Sequence, residues 1–123
     1  DHAKILFNYI IRRDGRVELE GLDAVPKEWK SIHEVFESTL KHEQEITAKI
    51  NNLVSLAKTN KDYATESLLQ WFIDEQVEEE DNARDIIDKL DMIKDNGFGI
   101  YMLDKELAVR TYTQAAPLAN SVL

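Results

Sequence analysis

Cysteine is absent from this chain, which excludes disulfides, zinc–cysteine sites and thiol chemistry. Proline occurs twice and glycine four times in 123 residues, too rarely for a fold made of tight turns. The long periodic segments between them point to an all-α class and a single domain. Basic residues are the minority, 15 against 24 acidic ones for a net charge of −9. That balance argues against a nucleic-acid-binding surface and favours solubility and the attraction of cations. No apolar run approaches the roughly 20 residues that span a bilayer, so no membrane partner is expected and the expected location is cytoplasmic. An opening methionine is missing too: the chain starts at Asp1 with an apolar stripe already running through His2. It therefore reads as the C-terminal part of a longer protein.

What the chain does have is helical periodicity interrupted by polar residues. Along residues 31–59 the stripe runs Ile32, Val35, Phe36, Leu40, then Glu43, then Ile46, Ile50, Leu53, Val54 and Ala57. Along residues 62–95 it runs Leu68, Leu69, Phe72, then Gln76 and Glu79, then Ala83, Ile86, Leu90 and Ile93. Steps alternating between three and four belong to a packed seam, so the polar interruptions fall in a core. A buried carboxylate without a partner is costly; it neutralises, pairs or binds a metal. With a turn at Asn60, Glu43 stands 17 residues before it and Gln76 and Glu79 stand 16 and 19 after it. In an antiparallel pair these residues meet about 25 Å from the turn. His2 belongs to a third apolar face with Ile5, Leu6 and Tyr9. Carboxylates, an amide and an imidazole converging in a helix bundle make a transition-metal site.

The first helix is expected over residues 1–13, closed by Asp14-Gly15, with Arg12 and Arg13 complementing its dipole. Residues 14–30, with Pro26, form a connection that reaches about 55 Å when extended. A helix from Ser31 to Thr59 is only about 44 Å long, so the connection can cross a bundle and set the first two helices parallel. Ser31 and Glu34 are spaced as a capping box. The third helix is expected to stop at Asn96-Gly97, with Gly97-Phe98-Gly99 as a turn before a short helix over residues 100–109. Residues 1–109 read as one folded part and 110–123 as a flexible tail. The parallel pair and its antiparallel neighbour are part of a crossover four-helix bundle, whose absent partner would leave an apolar groove exposed.

Five stretches carry a resemblance: Lys41-His42-Glu43-Gln44, Leu69-Gln70-Trp71-Phe72, Glu75-Gln76-Val77-Glu78-Glu79-Glu80, Ile86-Ile87-Asp88-Lys89-Leu90 and Tyr101-Met102-Leu103-Asp104-Lys105-Glu106-Leu107. Together they resemble bacterial non-haem ferritin over residues 1–109. The resemblance implies a ferritin-like four-helix bundle with a long crossover and short fifth helix, here without the first helix and most of the second. It implies iron storage in a homo-oligomeric shell of 24 subunits, and oxidation of Fe(II) by O2 at a non-haem di-iron site within each bundle. Such bundles bind metal through a Glu from each of two helices and Glu-x-x-His motifs from the others. By the resemblance, His2 is the histidine of a motif whose glutamate precedes this chain, and Glu43 and Glu79 are iron ligands. Gln76 matches the glutamine of the non-haem branch, which positions dioxygen or water. Glu75 and Glu78 match residues that help form a third iron site. Asp1 stands where haem-binding relatives carry methionine, so no haem is expected.

Plainer readings stand beside these. Glu43, Gln76 and Glu79 also suit a polar seam that only fixes helix register, as in a non-catalytic interaction module. A rubrerythrin-like di-iron peroxidase is a second alternative, weakened by the lack of a Cys-x-x-Cys module. His33 and His42 lie off the stripes and are expected to be exposed, and Glu80 and Asp81 to be surface charge. Trp71 is expected to pack at a helix or subunit interface and Tyr9 at the core edge.

Overall fold

In the computed structural model, residues 1–119 are described. Among them every regular element is a helix: α1 (His2–Arg12), α2 (Ile32–Thr59), α3 (Tyr63–Ile93), α4 (Gly97–Ala108) and the one-turn α5 (Ala116–Ala119). The all-α class and the three long periodic segments are as the sequence predicts. Of the expected tail, residues 120–123 lie outside the described residues. The chain divides into two units, one of Asp1–Val25 with the chain from Lys105 onward, the other of Pro26–Asp104.

The second unit is built on an α2–α3 hairpin. Its reversal is made by the backbone: the N–H groups of Asn60, Lys61 and Asp62 donate to the carbonyls of Leu56 (3.1 Å), Lys58 (3.0 Å) and Ala57 (2.9 Å). Lys61 takes the left-handed conformation, φ 55°, that this closure requires. Asp62 then caps α3, its carboxylate accepting from the Thr65 N–H (3.2 Å) and hydroxyl (2.6 Å). At the far end of the pair His33 of α2 meets Asp91 of α3 at 2.9 Å, so the helices stay antiparallel in contact over their length. Between these ends α3 buries Leu69, Phe72, Ala83, Ile86 and Leu90, and α2 buries Ile50 and Ala57. Each large side chain buried this way contributes about 1.5–3 kcal/mol. Ile32 and Leu53 stand on the predicted α2 stripe yet are 49% and 42% exposed. Two helices bury only the sides they turn to each other, so part of the wider stripe stays open.

Two ends differ from expectation. Ser31 caps α2, accepting from the Glu34 N–H at 3.1 Å, but the Glu34 carboxylate accepts from the Lys30 N–H, one residue before the reciprocal partner of a capping box. And Asn96-Gly97 does not end α3, which stops at Ile93 with Lys94 at φ 53°. Asn96 caps the next helix: its Oδ1 accepts from the N–H groups of Phe98 (3.0 Å) and Gly99 (3.1 Å). The expected Gly97–Gly99 turn is therefore the first turn of α4, because a side-chain acceptor there satisfies helix donors better than a turn does. Gly99 permits the approach: a Cβ on it would lie 2.5 Å from Ile93 Cγ2.

In the first unit, α1 buries Ile5 and half-buries Leu6 and Tyr9. The Arg13 guanidinium lies 5.9 Å from the Tyr9 ring centroid, a cation–π distance. Asp14 at φ 59° ends the helix, and the Gly15 N–H donates to the Ile10 carbonyl at 2.8 Å. Asp1 occupies the N-cap position of α1 without a side-chain capping bond. Its carboxylate accepts instead from the Tyr112 hydroxyl (2.7 Å) and the Ala115 N–H (3.1 Å), tying residues just before α5 to the start of α1.

Candidate metal centre

The middle of the α2–α3 seam is polar, at the height the sequence predicts. Gln76 follows Phe72 by one helical turn, so it inherits the buried side of α3 and is only 1% exposed. Its Nε2 donates towards the Glu43 carbonyl (3.1 Å), the Glu43 carboxylate (3.2 Å) and the Thr47 hydroxyl (3.3 Å). Its Oε1 has no hydrogen-bond partner and is the one buried side-chain N or O atom among the described residues left in that state. A buried acceptor without a partner costs about 1–3 kcal/mol, and such an atom calls for an explanation such as a bound ion or water.

The other expected ligands are distributed around it. Glu43 on α2 and Glu75 and Glu79 on α3 are half-buried. Glu75 and Glu79, one turn apart on α3, bring carboxylate oxygens within 4.8 Å of each other. Glu78 is exposed. His2 is half-buried in the first turn of α1, in the other unit. The donors of the second unit are carboxylate oxygens and one amide oxygen, with no sulfur among them. That donor set suits hard cations, iron and manganese among them, and disfavours metals selected by soft ligands.

Two members of the network were not expected. Glu80 is no simple surface charge: its side chain is only 17% exposed, it accepts from the Thr47 hydroxyl at 2.7 Å, and Arg84 holds its second oxygen at 3.0 Å. The Thr47 hydrogen bond holds the Glu80 carboxyl below its usual range; burial opposes this, and the Arg84 hydrogen bond and charge assist. Thr47 stands outside the predicted apolar stripe of α2. The signal was present, since Thr47 follows Glu43, and Glu80 follows Gln76, by one helical turn. His33 is also half-buried rather than exposed, with Asp91 at 2.9 Å on one ring nitrogen and Glu37 at 3.4 Å on the other. Partial burial pushes its imidazole down, but the hydrogen bonds and charges of Asp91 and Glu37 outweigh this and raise it. His42 is exposed as predicted, and Trp71 packs edge-on to Phe72, ring centroids 5.0 Å apart.

Residues 1–93 match the ferritin family, described as a ferritin-like domain. The chain is similar to the bacterial non-heme ferritin of Campylobacter jejuni, 45% identical over 105 residues that make up 85% of this chain and 63% of that protein. It is similar to the bacterial non-heme ferritin of Staphylococcus haemolyticus, 42% identical over 92% of this chain and 68% of that protein. Among solved structures it is similar to an engineered closed form of the Archaeoglobus fulgidus ferritin, with a TM-score of 0.88 and 42% identity over 91% of this chain and 68% of that one. The chain thus spans about two thirds of the length of these relatives, 63% of the first. From the family match, the identity to curated members and the shared helical fold, this chain belongs to the ferritin family.

Proposed function

We propose that the protein stores iron, oxidising Fe(II) with O2 at a di-iron centre inside the helix bundle and depositing the Fe(III) product as mineral within a 24-subunit homo-oligomeric shell. The observation that carries this reading is the buried Gln76 oxygen without a partner, in a seam that also holds Glu43, Glu75 and Glu79. In this reading Glu43 and Glu79 bind iron, and His2 is proposed as an imidazole ligand from the family resemblance alone. Gln76 presents its amide to dioxygen or water, and Glu75 with Glu78 assists a third iron. Iron is the substrate, and no haem takes part.

The electron count suits a pair of metals. Each Fe(II) gives up one electron, and two electrons with two protons reduce O2 to hydrogen peroxide. Carboxylates favour the Fe(III) product, because hard anionic oxygens stabilise the higher charge. The net charge of −9 draws Fe(II) towards the protein from dilute solution. Among the described residues no helix is long and apolar enough to cross a membrane, and a cytoplasmic location belongs to the same proposal.

Anaerobic Fe(II) titration followed by exposure to O2 tests it, with near-ultraviolet absorbance reporting Fe(III) and light scattering reporting mass. The expected result is two or three irons bound per subunit, rapid oxidation that Glu43→Ala abolishes, and a very large particle. Uptake and oxidation unchanged in Glu43→Ala and Glu79→Ala would leave the polar seam a helix-register device.

A further inference from the structure

Resting on the metal-centre reading above, we infer that Thr47, held by Glu80, is a positioning residue that fixes the polarity of the Gln76 amide, so that its carbonyl oxygen rather than its nitrogen is presented for metal or metal-bound water. The argument is one of donors and acceptors. Three oxygens lie within reach of the Gln76 nitrogen: the Glu43 carbonyl, the Glu43 carboxylate and the Thr47 hydroxyl. The first two only accept. The third has a single hydrogen, and its two acceptors, Glu80 Oε1 at 2.7 Å and the Glu43 carbonyl at 3.0 Å, both compete for it. The shorter, charge-assisted bond to Glu80 takes the hydrogen. Towards Gln76 the Thr47 hydroxyl then offers only lone pairs. A flipped amide would set its carbonyl oxygen against three acceptors, so the NH2 end faces them and Oε1 faces the other way.

Glu80 has a second effect. By drawing the Thr47 hydrogen away, it leaves the Glu43 carbonyl open to Gln76. When Glu43 gives its carboxylate to a metal, one of the three acceptors is withdrawn. The Glu43 carbonyl and the Thr47 hydroxyl then remain to take the two amide hydrogens. Thr47 matters most in the loaded state: without it only the Glu43 carbonyl opposes a flipped amide, whose nitrogen cannot ligate the metal.

Co(II) titration of the full chain, followed by its visible ligand-field absorption, tests this without redox chemistry. Thr47→Val keeps the branched shape and removes the hydroxyl, Thr47→Ser restores it, and Glu80→Ala releases its hydrogen; circular dichroism melts report whether each variant folds. The expected result is an altered ligand-field spectrum and about tenfold weaker Co(II) binding in Thr47→Val, a smaller loss in Glu80→Ala, and recovery of spectrum and affinity in Thr47→Ser. Wild-type spectrum and affinity in folded Thr47→Val would overturn the assignment while leaving the metal centre standing. No Co(II) uptake by the wild-type protein would overturn both, which separates the two failures.

Discussion

Leu69 and Gln76 lie on the same buried side of α3 and are equally inaccessible, each 1% exposed, yet burial does opposite things at the two positions. Around Leu69, with Phe72 beside it, removal from water is the stabilising event. At Gln76 it strands a carbonyl oxygen without a partner, so the seam gives up stability in its middle. The apolar layers on either side, Leu69 and Phe72 towards the turn and Ala83, Ile86 and Leu90 beyond, hold the polar layer in place. A rigid apolar frame supporting a strained polar middle is what a binding site requires.

Deleting a side chain from the frame is the strongest way to break this contrast. Phe72→Ala is expected to cost about 3–5 kcal/mol, lowering the urea midpoint, and to loosen the polar layer next to it. A loss below 1 kcal/mol would mean that Phe72 is not part of the frame. Next in size, Gly99→Ala places a methyl 2.5 Å from Ile93 Cγ2 and is expected to cost about 1–3 kcal/mol by overpacking, read as a lowered Tm. Gln76→Leu sets two effects against each other, relieving the stranded oxygen but removing the amide donor from Glu43 and Thr47, so its stability is expected to change by less than about 1 kcal/mol while Fe(II) oxidation slows. A larger loss of stability in that variant would make Gln76 a member of the frame.

The smallest expected effect lies at the far end of the hairpin, where His33 joins α2 to α3. Its imidazole is raised by Asp91 and Glu37, so its contribution is complete below the ordinary imidazole value and fades as pH rises through the raised one. Thermal stability is expected to decline slightly from about pH 6 to about pH 8, and His33→Gln to flatten that slope. An unchanged slope in His33→Gln would assign the decline to other groups.

Some of this could be read from the chain alone, and the residues show why. The period of Phe72, Gln76, Ala83, Ile86 and Leu90 names the buried side of α3 without any partner in view, since helical spacing alone puts them on one side. The matched distances of Glu43 and Gln76 from the turn predict their meeting, because two helices joined by a short link rise at the same rate. In the run Glu78-Glu79-Glu80-Asp81 nothing along the chain sets Glu80 apart from solvated charge, and only the Thr47 hydroxyl arriving from α2 distinguishes it. Asn96-Gly97 suits both a helix stop and a helix start, and Asn96 could be recognised as a cap only once α4 lay beside Ile93.

By itself, then, the sequence determined the all-helical class, the α2–α3 pairing and the polar interruption of its seam, all of which follow from spacing along a regular helix. The tertiary structure alone decided which polar atoms are partnered: that Thr47 binds Glu80, that Gln76 turns its nitrogen to Glu43, and that one amide oxygen is left over. Hydrogen bonds between helices depend on distances and directions of a few tenths of an ångström and a few tens of degrees, and no pattern along a single chain encodes these.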